Sequence, residues 1–235
     1  MQGRVLEVRR YPVKSMGGEL LDAAEVDRRG VVGDRLWALH DEQGRFGSGK
    51  TTRRFRRIPG LLDLSAAYDG NVPVVTLPDG GTLRGDDPHS SVRLSDHLGV
   101  GVTLAREGEV SHFDDAALHL CTLASLDRLQ RLLPASQVAV PRFRPNLVLD
   151  AGGQQGFPES DWVGRRLRIG DALEVEVTQR TERCVMVTAA QPGLPADRDV
   201  LRGVAAHHDL RLGVYADVIR PGRVRAGDTV SFSAR

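Results

Sequence analysis

The chain has 235 residues, of which 40% are hydrophobic and 27% are charged, and its formal net charge is +1. This length accommodates one large or two small domains with a real core, and the near-neutral charge argues against a general polyanion binder or a disordered tail. No apolar run approaches the ~20 residues that a membrane-spanning helix needs. The N-terminus shows no apolar signal segment, and Cys121 and Cys184 have no paired spacing, so we expect a reducing, cytoplasmic setting.

Short strands are predicted over most of the first 86 residues. Residues 5–9 alternate apolar and polar side chains, as a half-buried strand does. Residues 35–40, 61–68 and 72–77 are further candidates, and turn sequences such as Pro78-Asp79-Gly80-Gly81 separate them. No amphipathic helix interrupts this stretch.

Three helices are predicted after residue 86. The first begins near Asp86-Asp87 and ends at Gly99, and the second has Thr122 as its N-cap and leucines at helical spacing up to Pro134. The third spans about residues 199–207. Residues 138–140 and 146–150 are two further apolar segments on either side of Pro141-Arg142-Phe143-Arg144-Pro145.

The segments 167–173 and 224–230 are similar to each other, each with a Gly-Asp turn between two short strands. This similarity predicts two β-hairpins within a small barrel. Because strands are many, helices are few and βαβ alternation is missing, the sequence predicts a mostly β protein of the α+β class.

The most suggestive segment for chemistry is residues 179–188, which read QRTERCVMVT. The guanidinium groups of Arg180 and Arg183 are close enough in sequence to lower the pKa of the Cys184 thiol and favour the thiolate, a nucleophile and soft metal ligand. The alternative is a small buried hydrophobic residue, as most free cysteines are. Cys121 fits that second description better.

The two lysines are a second clue. Lysine occurs only at Lys14 and Lys50, and all other basic residues are arginine. Lys14 precedes Ser15 and Lys50 precedes Thr51, so both are candidate oxyanion contacts where a compact ammonium is needed.

Residues 44–51 match the P-loop pattern G-x-x-x-x-G-K-[ST]. A P-loop requires a buried strand before it and a helix after it in a parallel sheet, whereas these flanks read as antiparallel strands and Pro59 follows closely. A nucleotide hydrolase is therefore disfavoured. Two interpretations of this segment stay open. It could form a phosphate cradle together with the arginines of residues 53–57, or it could be a solvated basic edge strand. The run has few aromatics, so no nucleic-acid partner is predicted.

Several short motifs, in this order and spacing, resemble the MOSC family, named for the C-terminal domain of molybdenum cofactor sulfurase. They are Tyr11-Pro12-Val13-Lys14-Ser15, Gly33-Asp34-Arg35, Phe143-Arg144-Pro145-Asn146, Arg183-Cys184, Gly213-Val214-Tyr215 and the segment 222–228. Residues 1–105 resemble the MOSC N-terminal β domain. Residues 106–235 resemble the MOSC domain proper, which implies a small β-barrel with a few short helices. The chain is also similar to the amidoxime-reducing component of mitochondria and to bacterial proteins that reduce N-hydroxylated bases.

The resemblance implies a molybdenum cofactor (molybdenum bound to molybdopterin) between the two parts. Cys184 would be the metal ligand and a catalytic residue. The cofactor-binding residues would be Lys14, Ser15, Arg35, Arg144, Asn146, Arg183 and Tyr215. Candidates for the catalytic proton relay are Asp114, Asp115 and His119. Glu182 stands where eukaryotic members have serine, which places an acid near the metal site.

The function that follows is an oxidoreductase that reduces N-oxygenated or N-hydroxylated small molecules. The chain carries no iron–sulfur cysteine cluster, so the electrons are expected from a separate electron-transfer protein. The alternative is a protein that carries the molybdenum cofactor or its sulfur without reducing anything. Neither a membrane nor a nucleic acid is expected as a partner.

Overall fold

The computed structural model describes residues 2–233. Its strands are β1 (Gln2–Arg10), β2 (Glu19–Leu21), β3 (Ala23–Asp27), β4 (Gly30–Val31), β5 (Trp37–His40), β6 (Phe46–Ser48), β7 (Phe55–Arg57), β8 (Ser65–Asp69), β9 (Val72–Thr76), β10 (Thr82–Arg84), β11 (Thr103–Arg106), β12 (Leu118–Thr122), β13 (Leu147–Asp150), β14 (Arg166–Ile169), β15 (Leu173–Glu182), β16 (Arg211–Arg220), β17 (Gly222–Arg225) and β18 (Thr229–Phe232). The α-helices are α1 (Ser90–Leu98), α2 (Leu123–Leu132), α3 (Val140–Phe143) and α4 (Arg198–His208). Short 3-10 helices span Leu61–Asp63, Pro158–Trp162 and Val185–Thr188.

A closed barrel of seven strands forms the larger part of the structure. The strand order is β13-β12-β16-β15-β14-β18-β1, and pairing of β1 with β13 closes the ring. Inward side chains such as Leu120, Leu149, Leu167 and Val214 are fully buried there, because successive residues of a strand face opposite sides of the sheet. The prediction of a mostly β fold with a small barrel and few helices is confirmed.

The first strand completes this barrel although it lies at the other end of the chain. β1 pairs antiparallel with β13 and β18, with Val5 opposite Leu149 and Gly3 opposite Val230. In addition, β3 pairs with β17. The domain boundary predicted at residue 105 stays a prediction. Strands from the two sides of this boundary pair with each other, β1 with β13 and β18, and β3 with β17.

The sheet β17-β3-β4 packs Val26, Val31 and Val224 into the barrel core, whereas two other small sheets surround a second core. One sheet has the order β11-β5-β6-β7 and another has the order β10-β9-β8. Val13, Leu39, Leu64 and Val75 are buried between them, and Leu94 of α1 packs against the same core. These sheets and the barrel together bound the cleft described below.

The predicted helix ends agree with the structure in two places. Gly99 ends α1 with a left-handed backbone (φ 64°), and the Thr122 side chain accepts a hydrogen bond from the Ser125 amide at the start of α2. The third predicted helix is α4. Among residues 2–233, no helix has the length and apolar character needed to cross a membrane.

Three local predictions were wrong. The helix predicted to begin near Asp86-Asp87 begins at Ser90, with His89 at the N-cap position and no capping side chain. The start of the strand predicted at residues 61–68 is a 3-10 helix over Leu61–Asp63. The second Gly-Asp turn does not form a hairpin: β17 pairs with β3, while β18 enters the barrel beside β14 and β1. Turn chemistry is local, but the partner of each strand depends on which sheet lies nearby.

Candidate functional site

A cleft of about 940 Å³, counted out to its open mouth, lies between the barrel and the small sheets. The structure brings every predicted site residue to its walls: Lys14, Ser15, Arg35, Asp114, Asp115, His119, Arg144, Asn146, Arg183, Cys184 and Tyr215. Two of them lie on barrel strands, His119 on β12 and Tyr215 on β16. The others lie in loops at strand and helix ends, where functional side chains often occur.

Three of these wall residues have a left-handed backbone. Ser15 (φ 65°), Arg35 (φ 49°) and Arg144 (φ 55°) are three of the five non-glycine residues with positive φ in the described chain. That conformation costs an ordinary residue on the order of 1 kcal/mol, and such strain concentrates at functional sites. Backbone hydrogen bonds compensate here, since the Arg35 amide donates to Tyr11 O at 2.7 Å.

Arg35 and Arg144 lie close together although both are cationic. Their guanidinium carbons are 4.9 and 4.2 Å from the centroid of the Tyr11 ring, a cation–π arrangement. Arg35 is paired with the buried Asp34, and Arg144 Nη1 donates to Met16 O at 2.6 Å. Burial lowers the pKa of Arg144 to about 10. The two charges are therefore held in place by ion pairing, a ring face and backbone carbonyls.

Lys14 is a buried cation in the same wall. Its Nζ donates to His112 O at 2.8 Å and to Asp114 Oδ1 at 2.7 Å. Burial lowers the pKa of Lys14 to about 8, while the Asp114 charge acts in the opposite direction. The loop that carries His112 and Asp114 is thereby tied to the start of the chain.

His119 is neutral and accepts a hydrogen bond in this arrangement. Its Nε2 lies 3.4 Å from Arg183 Nη1, and because guanidinium nitrogens can only donate, Nε2 must be the acceptor. Burial and the Arg183 charge lower the pKa of His119 well below its ordinary value. Asn146 holds β12 in position at His119, because its Oδ1 accepts a hydrogen bond from the His119 amide at 3.1 Å.

Cys184 immediately precedes the 3-10 helix Val185–Thr188, and its thiol is free and partly exposed. Cys121 is also free but is fully buried in the core formed with α2 and α4. The prediction that Cys121 is a core residue is therefore confirmed. In residues 2–233, no group of three His, Cys, Asp or Glu side chains is placed to hold a metal ion. A metal ion at Cys184 would need ligands from outside the protein.

Sequence reasoning missed the role of Arg142. Its guanidinium lies behind the Cys184 loop and donates to Val187 O (3.3 Å), Ala189 O (3.2 Å) and Pro195 O (2.7 Å). The adjacent Arg144 belongs to a recognisable motif, but no sequence signal shows that Arg142 holds the loop.

Sequence reasoning also missed that the P-loop-like segment joins this cleft. The segment contributes β6, which pairs with β5 and β7, and no helix follows it, so it is not a P-loop. The Gly49 amide donates to Met186 Sδ at 3.1 Å, and Ser48, Lys50 and Met186 all line the cleft. The scarcity of lysine and the open phosphate-cradle alternative were the signals that pointed to Lys50.

Comparison with family models decides what kind of protein this is. A model of the MOSC domain matches residues 101–231, and a model of the MOSC N-terminal beta barrel domain matches residues 2–121. The chain belongs to the MOSC family. MOSC domains are generally molybdenum-cofactor-binding domains.

Solved structures support the fold of this MOSC protein and nothing further. The YuaD protein of Bacillus subtilis is 13% identical, with a TM-score of 0.56 over 100% of this chain and 98% of that one. A hypothetical protein is 14% identical, with a TM-score of 0.51 over 100% and 69% of the two chains. YiiM from Escherichia coli, which is 13% identical with a TM-score of 0.44 over 100% and 71% of the two chains, is too dissimilar to bear on the fold. A search of curated protein sequences finds no significant match.

The cleft of this MOSC protein fits an anionic pterin cofactor. Arg144 Nη2 and Arg183 Nε are buried and have no hydrogen-bond partner in the described part of the chain. Such unsatisfied donors are costly unless a ligand accepts from them. Lys14 and Arg35 add positive charge to the same walls, which suits a phosphate. The Cys184 thiol supplies a soft ligand of the kind that molybdenum takes.

Proposed function

We propose that this MOSC protein is a molybdenum-cofactor-dependent oxidoreductase that reduces N-oxygenated or N-hydroxylated compounds, with electrons from a separate electron-transfer protein. The observation that carries the proposal is that Cys184 and the cations Lys14, Arg35, Arg144 and Arg183 line one cleft. A reducing, cytoplasmic location goes with it, because both cysteines are free thiols.

The side chains divide into two sets in this proposal. Lys14, Arg35 and Arg144 hold the phosphate and pterin by charge and hydrogen bonding, and Arg183 and Asn146 keep the adjoining loops in register. Ser15 and Tyr215 line the same walls. Cys184 binds the metal as thiolate. When bound, the cofactor supplies the two-electron chemistry that removes oxygen from nitrogen.

Protons for such a reaction have to come from groups that carry them near neutral pH. Tyr215 does, because burial raises its pKa. By contrast, the pKa of Asp114 is lowered by Lys14, although burial opposes this, and His119 is kept neutral. We therefore favour Tyr215 over Asp114 and His119 as the proton donor.

A second candidate function is transfer of the cofactor without reduction. It is favoured by the loop of residues 113–116, which forms one wall of the cleft. Asp114 in this loop is half exposed and tied to the rest of the protein by its contact with Lys14. Displacement of that loop would let an anionic cofactor enter and leave.

The first test is to quantify molybdenum and pterin in protein produced in a cofactor-competent host. We expect near-stoichiometric molybdenum in the unmodified protein and loss of the metal in Cys184→Ser. Cys121→Ala is the matched control, because this second cysteine is buried in the core, and it should retain the metal. Equal molybdenum in Cys184→Ser and the unmodified protein would refute the ligand assignment.

The second test separates the two candidate functions. Metal-loaded protein is supplied with reduced methyl viologen as an artificial donor and with benzamidoxime as substrate. Turnover that disappears in Cys184→Ser supports the reductase. Full metal loading without turnover of benzamidoxime or other N-oxygenated compounds, but with transfer of cofactor to a molybdenum-free acceptor enzyme, supports the carrier.

A further inference from the structure

A second cavity, which the proposed function does not use, lies on the N-terminal sheets. Its volume is about 410 Å³, and its lining includes Arg10, Val32, Trp37, Tyr68, Asn71 and Arg106. The two cavities have no described lining residue in common. Cavities of this size, with aromatic walls and a few polar groups, are typical of small-molecule sites.

The charged groups of this cavity are both cations. Arg10 lies over the Tyr68 ring at 4.5 Å and is oriented by a 2.8 Å hydrogen bond to Glu19. Arg106 stands directly opposite Trp37 in the β5–β11 ladder, and residues 2–233 offer its guanidinium no hydrogen-bond or ion-pair partner. None of the described lining residues is acidic. Because Glu19 neutralises Arg10, the uncompensated charge of the cavity is that of the exposed Arg106, which has its full set of donors free for a carboxylate.

The rest of the lining favours a flat apolar body. Trp37 and Tyr68 contribute rings, and Val32 is 45% exposed beside them. The Tyr68 hydroxyl is occupied, since it donates to Gly33 O at 3.0 Å. Trp37 Nε1 is shielded from solvent and has no acceptor among the described residues, so this donor does not face the open cavity.

We propose that this cavity, between Arg10, Arg106, Trp37 and Tyr68, is a second binding site for a small aromatic carboxylate. The carboxylate pairs with Arg106, and the ring packs on the apolar wall. Backbone hydrogen bonds connect this site to the cofactor cleft. The Lys14 amide donates to Trp37 O at 2.8 Å, and the Trp37 amide donates to Pro12 O at 3.0 Å. The existence of the site does not depend on the proposed reaction.

The test uses benzoate as the anionic probe and benzamide as its uncharged counterpart, with calorimetry and tryptophan fluorescence as readouts. The chain has two tryptophans, and Trp162 is buried in the barrel core, so a ligand-dependent emission change reports on Trp37. For a probe of this size we expect saturable benzoate binding with a dissociation constant on the order of 1 mM. Benzamide should bind about tenfold more weakly, because it makes no charge-assisted hydrogen bond.

Variants assign the binding to this cavity. Arg106→Gln should weaken benzoate binding about tenfold, and Trp37→Phe should abolish the emission change while calorimetry still detects binding. Arg93→Gln, an exposed change on α1, is the matched control and should leave the affinity unchanged, as should Cys184→Ser. Absence of saturable benzoate binding, equal affinity for benzamide, or an unaltered affinity in Arg106→Gln would each overturn the proposal.

Discussion

Lys14 Nζ and Asp114 Oδ1 are 2.7 Å apart, but the Lys14 side chain is only 4% exposed whereas that of Asp114 is 53% exposed. The buried partner bears the cost of desolvation, which lowers its pKa to about 8. The exposed partner is easily moved. An anion that enters the cleft competes with Asp114 for this ammonium group.

The low pKa of Lys14 makes a pH-dependent contribution to stability. In the unfolded chain its pKa is about 10.5, so between pH 8 and 10.5 the unfolded state binds more protons than the folded state. The protein therefore becomes more stable as the pH rises through this window. The contribution of Lys14 to the free energy of unfolding increases by at most about 1.4 kcal/mol per pH unit. Chemical denaturation at pH 8 and pH 9.5 should show this slope, and Lys14→Met should remove it. Identical slopes in the two proteins would contradict the assignment.

Gly49 packs directly against Met186. Replacing Gly49 by alanine should therefore affect the cleft more than it affects the stability of the fold. A Cβ atom at Gly49 would lie 2.2 Å from Met186 Sδ, but a methionine side chain can move. Gly49→Ala should cost about 1 kcal/mol or less and should weaken cofactor retention, because Met186 lines the cleft.

Gly108→Ala is the control, since no described atom lies within 4 Å of a Cβ there. A double-mutant cycle with Met186→Ala measures the coupling between Gly49 and Met186. Additive effects in that cycle would show that the contact does not matter.

Loss of Arg142 should destabilise the protein and expose Cys184. Arg142→Met fills a similar volume but leaves the carbonyls of Val187, Ala189 and Pro195 without their donor, which should cost about 3 kcal/mol. The Cys184 thiol should then react faster with a disulfide reagent, while Cys121 stays buried. Arg202→Met, an exposed change on α4, should alter neither quantity. Unchanged thiol reactivity in Arg142→Met would mean that Arg142 does not position the loop.

Glu182 should influence which substrates are preferred, if the proposed reaction is correct. Its carboxylate is at the cleft beside Cys184, so it favours cationic over neutral compounds. Glu182→Gln should lower kcat/KM for a protonated N-hydroxyguanidine by about three- to fivefold and leave a neutral N-oxide unaffected. Glu109→Gln, at an exposed position outside the described cleft lining, should change neither value. Parallel losses for both substrates would argue against charge selection.

Much of the site could be predicted because its residues belong to short local motifs. Lys14 and Ser15 lie together, as do Arg183 and Cys184, and the cleft indeed collects both pairs. The roles were less predictable, because a pKa depends on burial and neighbours. His119 has the residue type of a proton carrier, yet only the fold shows that it is buried against Arg183 and accepts its hydrogen bond.

The sequence by itself determined the mostly β class, the C-terminal glycine of α1, the N-cap of α2 and the family motifs, because alternation, capping and motif spacing are properties of neighbouring residues. Only the tertiary structure decided that β1 closes the barrel and that β17 pairs with β3. It also brought Gly49 to Met186. These contacts join distant parts of the chain through packing and strand pairing, which depend on the whole fold and leave no mark in a local pattern.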